Sequence, residues 1–131
     1  KAAYLSVVTP STHDMPTNRE WWEEEKNSIQ EFYNQQLENY GDAPFYAEPW
    51  VCREILQQHL NSPAMWAVFL LQDLLSMDDS VRKADPRTER INNPADPDHY
   101  WNYRMHISLE ELLQQAGFIV TLKNMIASSY R

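Results

Sequence analysis

YLSVVTPSTHD, residues 4–14, is the stretch of this sequence that decides the fold. Its first five residues are mostly aromatic, aliphatic or β-branched, and Pro10 closes the run, so the pattern predicts a short buried strand over residues 4–8. His13 and Asp14 follow at the carboxyl end of that strand. Enzymes built on parallel sheets keep their chemistry at that end. The pair is therefore the first candidate for a functional site.

A second apolar run, residues 64–71, reads AMWAVFLL and ends at Gln72-Asp73. Continuous apolar residues are typical of a strand buried on both faces of a parallel sheet, although a buried helix gives the same pattern. Residues 78–105 follow with three prolines and no sustained periodicity. A connection of this length, rich in aromatic residues, is typical of a binding loop.

Helical periodicity fills the remaining segments. Thr17 and Glu20 have the spacing of a capping box and predict a helix over residues 18–40 that Gly41 ends. Further helices are predicted to begin at Pro49, at Ser108 with Glu111 as its capping partner, and near Leu122.

The order of elements is strand, helices, strand, long loop, helix, which predicts an α/β fold with a right-handed parallel unit. Two parallel strands alone cannot cover both of their faces. We therefore predict a helix-rich fragment of a barrel, with no domain boundary inside residues 1–131. The start at Lys1, without methionine, gives the same expectation of a longer protein.

Composition narrows the function classes. The 131 residues are 43% hydrophobic and carry a formal charge of −8, which argues against nucleic acid or an anionic membrane as partner. The single cysteine, Cys52, suits a reducing cytoplasm. Two glycines leave no phosphate-binding loop, and four scattered histidines give no zinc-ligand spacing, so we expect neither a cofactor nor a metal.

Three side chains are candidates for chemistry, and each has a structural alternative. Asp14 is either a turn or N-cap aspartate before Pro16 or a carboxylate that faces a cleft. His13 alone is more often a structural histidine. Asn92 favours a turn before Pro94, or it offers a donor and an acceptor to sugar hydroxyls.

Four motifs then occur in order along the chain, and together they resemble one family. They are STHD at residues 11–14, QDLLSM at 72–77, RINNP at 90–94 and WNYR at 101–104. This set is similar to the carboxyl-terminal part of the 4-α-glucanotransferases of glycoside hydrolase family 77, the amylomaltases and disproportionating enzymes. The resemblance implies a (β/α)8 TIM barrel to which this chain supplies the seventh and eighth strands and their flanking helices.

The resemblance also implies an activity. Members transfer α-1,4-glucan segments between malto-oligosaccharides with retention, through a covalent glycosyl-enzyme. Their aspartate nucleophile and glutamate acid/base would lie upstream of Lys1, so the isolated piece is expected to be inactive. The implied partners are an α-glucan substrate and the rest of the same barrel.

Residue by residue, Asp14 matches the family's third carboxylate, which binds the sugar at the cleavage point and steadies the transition state. His13 matches a neighbouring sugar contact. Asn92 matches the asparagine of a segment in which Ile91 here replaces methionine and Ala95 replaces glycine. Positions equivalent to Gln72, Asp73 and Trp101 have a mainly structural role in this comparison.

A second hypothesis needs no catalysis. Capped amphipathic helices and an acidic surface also suit a helical interaction module. Sequence upstream of Lys1 discriminates the two, because an enzyme needs further βα units with acidic residues at two strand ends.

Overall fold

The computed structural model describes residues 2–131, and its two short strands pair in parallel. Strand β1 is Val7–Val8 and strand β2 is Trp66–Ala67; Val7 lies beside Trp66 and Val8 beside Ala67. The parallel pairing is as predicted. Both strands are shorter than the apolar runs that indicated them.

The second half of the predicted strand over residues 64–71 is wrong. The chain is extended at Leu70 and then turns into helix α4, Leu71–Leu75, so Gln72 and Asp73 lie inside a helix rather than at a strand end. An unbroken apolar run does not distinguish a buried strand from a buried helix. Gln72 and Asp73 are both buried in α4, and the helix turns them toward partners on other segments.

The single helix predicted over residues 18–40 is also wrong. Helix α1, Asn18–Glu24, and helix α2, Lys26–Gln35, are separated at Glu25, whose ψ of 47° is not helical. Helix α2 ends before Gly41 because the following turn folds back on it. The Gln30 amide donates to the carbonyl of Gly41 at 2.9 Å and the Asn34 amide to that of Asn39 at 2.8 Å.

The core lies where the helices meet. Helix α3, Pro49–Leu60, begins at its proline as predicted, and it contacts both α4 and α6, Ala116–Ser128. The predicted capping box at Ser108 and Glu111 is present and opens α5, Leu109–Leu113. Buried apolar residues of this core include Trp22, Ile29, Val51, Ile55, Leu56, Leu75, Phe118 and Met125.

Two features of the helices bear on function: a buried thiol and their length. Burial raises the pKa of the Cys52 thiol to about 11, which leaves it protonated and without nucleophilic character at neutral pH. None of the helices in residues 2–131 is both long and apolar enough to span a bilayer.

The predicted long loop is largely irregular. Within residues 78–105 the only regular element described is a 3₁₀ helix, Pro86–Glu89. The loop then passes back to the carboxyl end of β1, where the backbone N–H of Asn92 donates to the carbonyl of His13 at 3.0 Å. The fold thereby brings two segments about 80 residues apart to the same place.

Candidate functional site

A buried carboxylate fixes the loop that leaves β1. Asp73 of α4 is fully buried; its Oδ2 accepts a hydrogen bond from the Ser11 hydroxyl and its Oδ1 one from the backbone N–H of Asn18 at 2.9 Å. Burial raises the pKa of Asp73, and these two hydrogen bonds oppose that shift. One side chain thus holds both ends of the loop that carries His13 and Asp14.

A second buried carboxylate holds the other segment. Glu89 is 2% exposed. Its Oε1 accepts from the Arg19 guanidinium at 2.7 Å and its Oε2 from the Thr17 hydroxyl at 2.9 Å. The Gln72 amide donates to the Glu89 carbonyl at 3.1 Å. The first turn of α1 is therefore joined to the start of the segment that contains Asn92.

The three predicted site residues are brought together. The Asn92 side-chain amide donates to Oδ1 of Asp14 at 2.7 Å. Nε2 of His13 lies 3.3 Å from Oδ2 of the same carboxylate. One carboxylate is thus flanked by an amide and an imidazole, with about half of each of the Asp14 and His13 side chains still exposed.

An aromatic ring lies behind the histidine. The rings of His13 and Trp101 are 5.0 Å apart between centroids and inclined at 45°, a contact typical of packed aromatic pairs. Trp101 therefore restrains the imidazole, and 61% of the Trp101 residue remains accessible in this structure.

Of the two structural alternatives for Asp14, the turn is present, because the backbone N–H of Met15 donates to the Thr12 carbonyl at 3.1 Å, and the N-cap is not. The N-cap of α1 is Thr17, whose hydroxyl accepts from the backbone N–H of Glu20, so Asp14 does not cap that helix. Asn92 likewise does more than form a turn, because its amide crosses to Asp14. The Glu20 half of the predicted capping box is not formed; Oε2 of Glu20 is buried without a partner among the described residues.

Sequence reasoning missed the residues that assemble the site. Gln72 and Asp73 were expected to be structural, and their buried contacts have that character. Glu89 and Arg19 carried no signal, because charged residues far apart in sequence usually lie on the surface, and Thr17 was predicted only as the N-cap of α1. Their burial is tolerated because they pair with one another, which offsets the cost of removing them from water. That pairing can be seen only in the three-dimensional structure.

The half-exposed carboxylate of Asp14 can accept further hydrogen bonds from donors such as hydroxyl groups. The Asn92 amide orients it from one side, and the His13 ring lies on the other. In residues 2–131 no group of three or more histidine, cysteine or acidic side chains is arranged to hold a metal ion.

Comparison with known proteins gives a consistent family. The sequence pattern that defines the family described as 4-alpha-glucanotransferase, glycoside hydrolase family 77, matches residues 1–110. The chain is 38% identical over 129 residues to the 4-alpha-glucanotransferase DPE2 of Oryza sativa subsp. japonica, covering 98% of this chain and 14% of that protein. It is 33% identical over 113 residues to the 4-alpha-glucanotransferase of Chlamydia pneumoniae, covering 82% of this chain and 20% of that one. The chain thus spans a fifth or less of the length of these relatives.

A solved structure has the same fold. The amylomaltase from Streptococcus agalactiae in complex with acarbose superposes with a TM-score of 0.69 at 17% identity. The match covers 96% of this chain and 22% of that one, so nearly all of the architecture described above recurs there.

Proposed function

The chain belongs to the 4-alpha-glucanotransferase family, glycoside hydrolase family 77, and from that premise we propose that it is the substrate-stabilising part of a longer 4-alpha-glucanotransferase. In this proposal β1 and β2 are the seventh and eighth strands of a (β/α)8 barrel. The parallel pairing supports it, as does a candidate site that follows the carboxyl end of β1.

The observation that carries the proposal is the flanked carboxylate of Asp14. The Asn92 amide donates to one of its oxygens and His13 Nε2 lies 3.3 Å from the other while half of the side chain faces outward, so the carboxylate is oriented before a substrate arrives. An oriented acceptor binds sugar hydroxyls without the cost of reorganisation.

In the proposed mechanism, Asp14 and its neighbours act on the transition state. Retaining transfer uses a nucleophile and an acid/base about 5 Å apart, and its transition state resembles an oxocarbenium ion. In the proposal both groups come from the rest of the barrel. As positive charge develops on the sugar ring, its hydroxyls become stronger donors, and their hydrogen bonds to Asp14 tighten. Such bonds contribute several kcal/mol.

The exposed apolar side chains support a barrel partner. Large apolar residues around the two strands are exposed in this structure, among them Tyr4, Leu5, Val7 and Trp66. Apolar patches of this kind mark surfaces that another part of a protein covers. Since a parallel sheet is normally buried on both faces, the remaining barrel strands and helices are the natural cover.

The test is glucose release from maltotriose by the full-length protein that carries this chain. Asp14→Asn keeps the shape and removes the charge; we expect release to fall by roughly 100-fold or more, with an unchanged circular dichroism spectrum. Asp42→Asn, an exposed aspartate between α2 and α3, is the matched control and keeps wild-type activity. If Asp14→Asn released glucose as fast as the wild type, the proposed role of Asp14 would be wrong. No release from the wild type would overturn the proposed function.

A further inference from the structure

Glu89 occupies an unusual position for a glutamate. It is buried with every acceptor atom engaged: Arg19 and Thr17 on the carboxylate and Gln72 on its backbone carbonyl. The Arg19 side chain is itself only 6% exposed. These contacts lie inside the chain, so they do not depend on what surrounds it.

Burial of an ion pair is a poor route to stability. The desolvation of two charges commonly equals or exceeds their attraction, and apolar residues of similar volume are often as stable. What an ion pair with additional hydrogen bonds adds is direction, because each bond fixes a distance and an angle. The contacts of Glu89 therefore matter more for the orientation of the segment they fix than for the stability of the fold.

The segment that Glu89 starts is the one that needs orienting. Residues 90–92 have no regular secondary structure, so side-chain contacts determine their path. Arg90 continues the same pattern: its Nε donates to the Asn92 carbonyl at 3.0 Å, and its Nη1 lies 3.9 Å from Oε1 of Glu20. Glu89 and Arg90 thus both fasten this segment to the first turn of α1, the helix that follows Asp14.

We propose that Glu89 is a positioning residue for the glucan site: paired with Arg19 and Thr17, it sets the path of residues 89–92 so that the Asn92 amide meets Asp14. The proposal rests on the proposed function, since it concerns the orientation of the same carboxylate. Glu89 acts through Asn92 and does not contact the substrate. Its loss lowers turnover by letting Asp14 turn away from the sugar.

The primary test is a double-mutant cycle on kcat/KM for maltotriose in the full-length protein. Glu89→Gln keeps the size of the side chain and weakens its hold on Arg19. A displacement of about 1 Å at a catalytic group costs up to roughly 100-fold, so we expect a loss on the order of 10- to 100-fold. In an Asn92→Ala background the same change is expected to cost less than about twofold, because the group through which Glu89 acts is already absent.

The control is an exposed ion pair at the start of the same 3₁₀ helix, between its N-cap Asp85 and Arg87; asparagine at position 85 can still cap the helix. Asp85 binds Arg87 at 3.0 Å on the surface, and exposed pairs contribute little. Asp85→Asn is expected to leave kcat/KM within about twofold of wild type. Circular dichroism and melting temperature are recorded for every variant, so that activity is compared between folded proteins.

The outcomes separate this inference from the proposed function. An active wild type, an inactive Asp14→Asn and an unaltered Glu89→Gln would overturn the positioning role alone. An equal loss from Glu89→Gln in both backgrounds would also overturn it. If Glu89→Gln does not fold, the pair Arg19→Met with Glu89→Leu replaces it, because apolar residues at both positions leave no buried charge unpaired. The same loss of kcat/KM is then expected, again only when Asn92 is present, and an unaltered kcat/KM would overturn the positioning role. Failure of the wild type to release glucose is a failure of the proposed function.

Discussion

The apolar core of the helices and the polar cluster beneath the candidate site are equally well buried, but different forces hold them together. Around α3 the contacts are apolar: Trp22 and Val51 are fully buried and Leu56 is 1% exposed. Beneath the site, Asp73 and Glu89 are buried to the same degree, yet each is surrounded by hydrogen-bond donors. One region excludes water by packing, and the other excludes it while keeping polar groups paired.

The difference explains how a small structure places three side chains from distant segments. Apolar burial stabilises strongly but has no direction, so it tolerates small shifts of one helix against another. Hydrogen bonds to buried carboxylates specify geometry, and each unmade bond carries a penalty. The apolar core therefore supplies most of the stability, and the polar cluster beneath the site determines the orientation of the site residues.

The largest effect on stability is expected from the apolar region. Leu56→Ala removes a fully buried side chain and leaves a cavity, which costs about 2–5 kcal/mol. Hydrogen exchange of the α3 amides in the full-length protein measures this as faster local opening. Activity of the folded protein at low temperature should stay near wild type. Arg53→Ala, exposed on α3, is the control and should change protection little. A large loss of kcat/KM in folded Leu56→Ala would break the division between the two regions.

A smaller effect on stability, with a larger one on activity, is expected at Asp73. Asp73→Ala leaves the Ser11 hydroxyl and the Asn18 backbone N–H buried without their acceptor, which costs about 1–3 kcal/mol. Exchange should rise in residues 11–18 and kcat/KM should fall. Asp73→Asn retains an acceptor and the shape, so it serves as the matched variant with a smaller change. Equal acceleration of exchange in α3 would mean that Asp73 supports the core rather than the loop.

The smallest effect concerns Glu20 and its dependence on pH. Burial, and next the charge of Glu24, raise the pKa of Glu20 above its ordinary 4.5. The folded state therefore disfavours the ionised form, and the stability that the neutral form provides is lost as the pH rises through the raised pKa. Glu20→Gln should be more stable than wild type at pH 7, by less than about 1 kcal/mol, and should show no gain at pH 4; thermal unfolding of both proteins at the two pH values measures the difference. A difference that does not vary with pH would contradict this assignment.

Local sequence patterns predicted those features that depend on neighbouring residues. Pro49 at the start of α3 and the capping box at Ser108 require contacts within one turn, and both are present. The parallel pairing of β1 and β2 followed from two apolar runs. The strand predicted over residues 64–71 is only partly present: β2 covers Trp66–Ala67, and the chain has turned into α4 by Leu71, an outcome that an unbroken apolar run cannot distinguish from a longer strand.

The site shows the same boundary between local and distant information. His13 and Asp14 were predicted from their position after a strand, and Asn92 from its place in the long loop and from the resemblance of its segment to a family. Their contact could not be derived from spacing, since Asn92 lies 78 residues from Asp14. The pairing of Glu89 with Arg19, 70 residues away, also depends on tertiary structure alone.

The most direct test of the central claim is a crystal structure of the full-length protein with acarbose bound. We expect a hydroxyl of the ligand within about 3 Å of the Asp14 carboxylate, with the Asn92 amide still bonded to its other oxygen. If acarbose binds where neither Asp14 nor His13 contacts it, Asp14 is not the sugar-binding carboxylate.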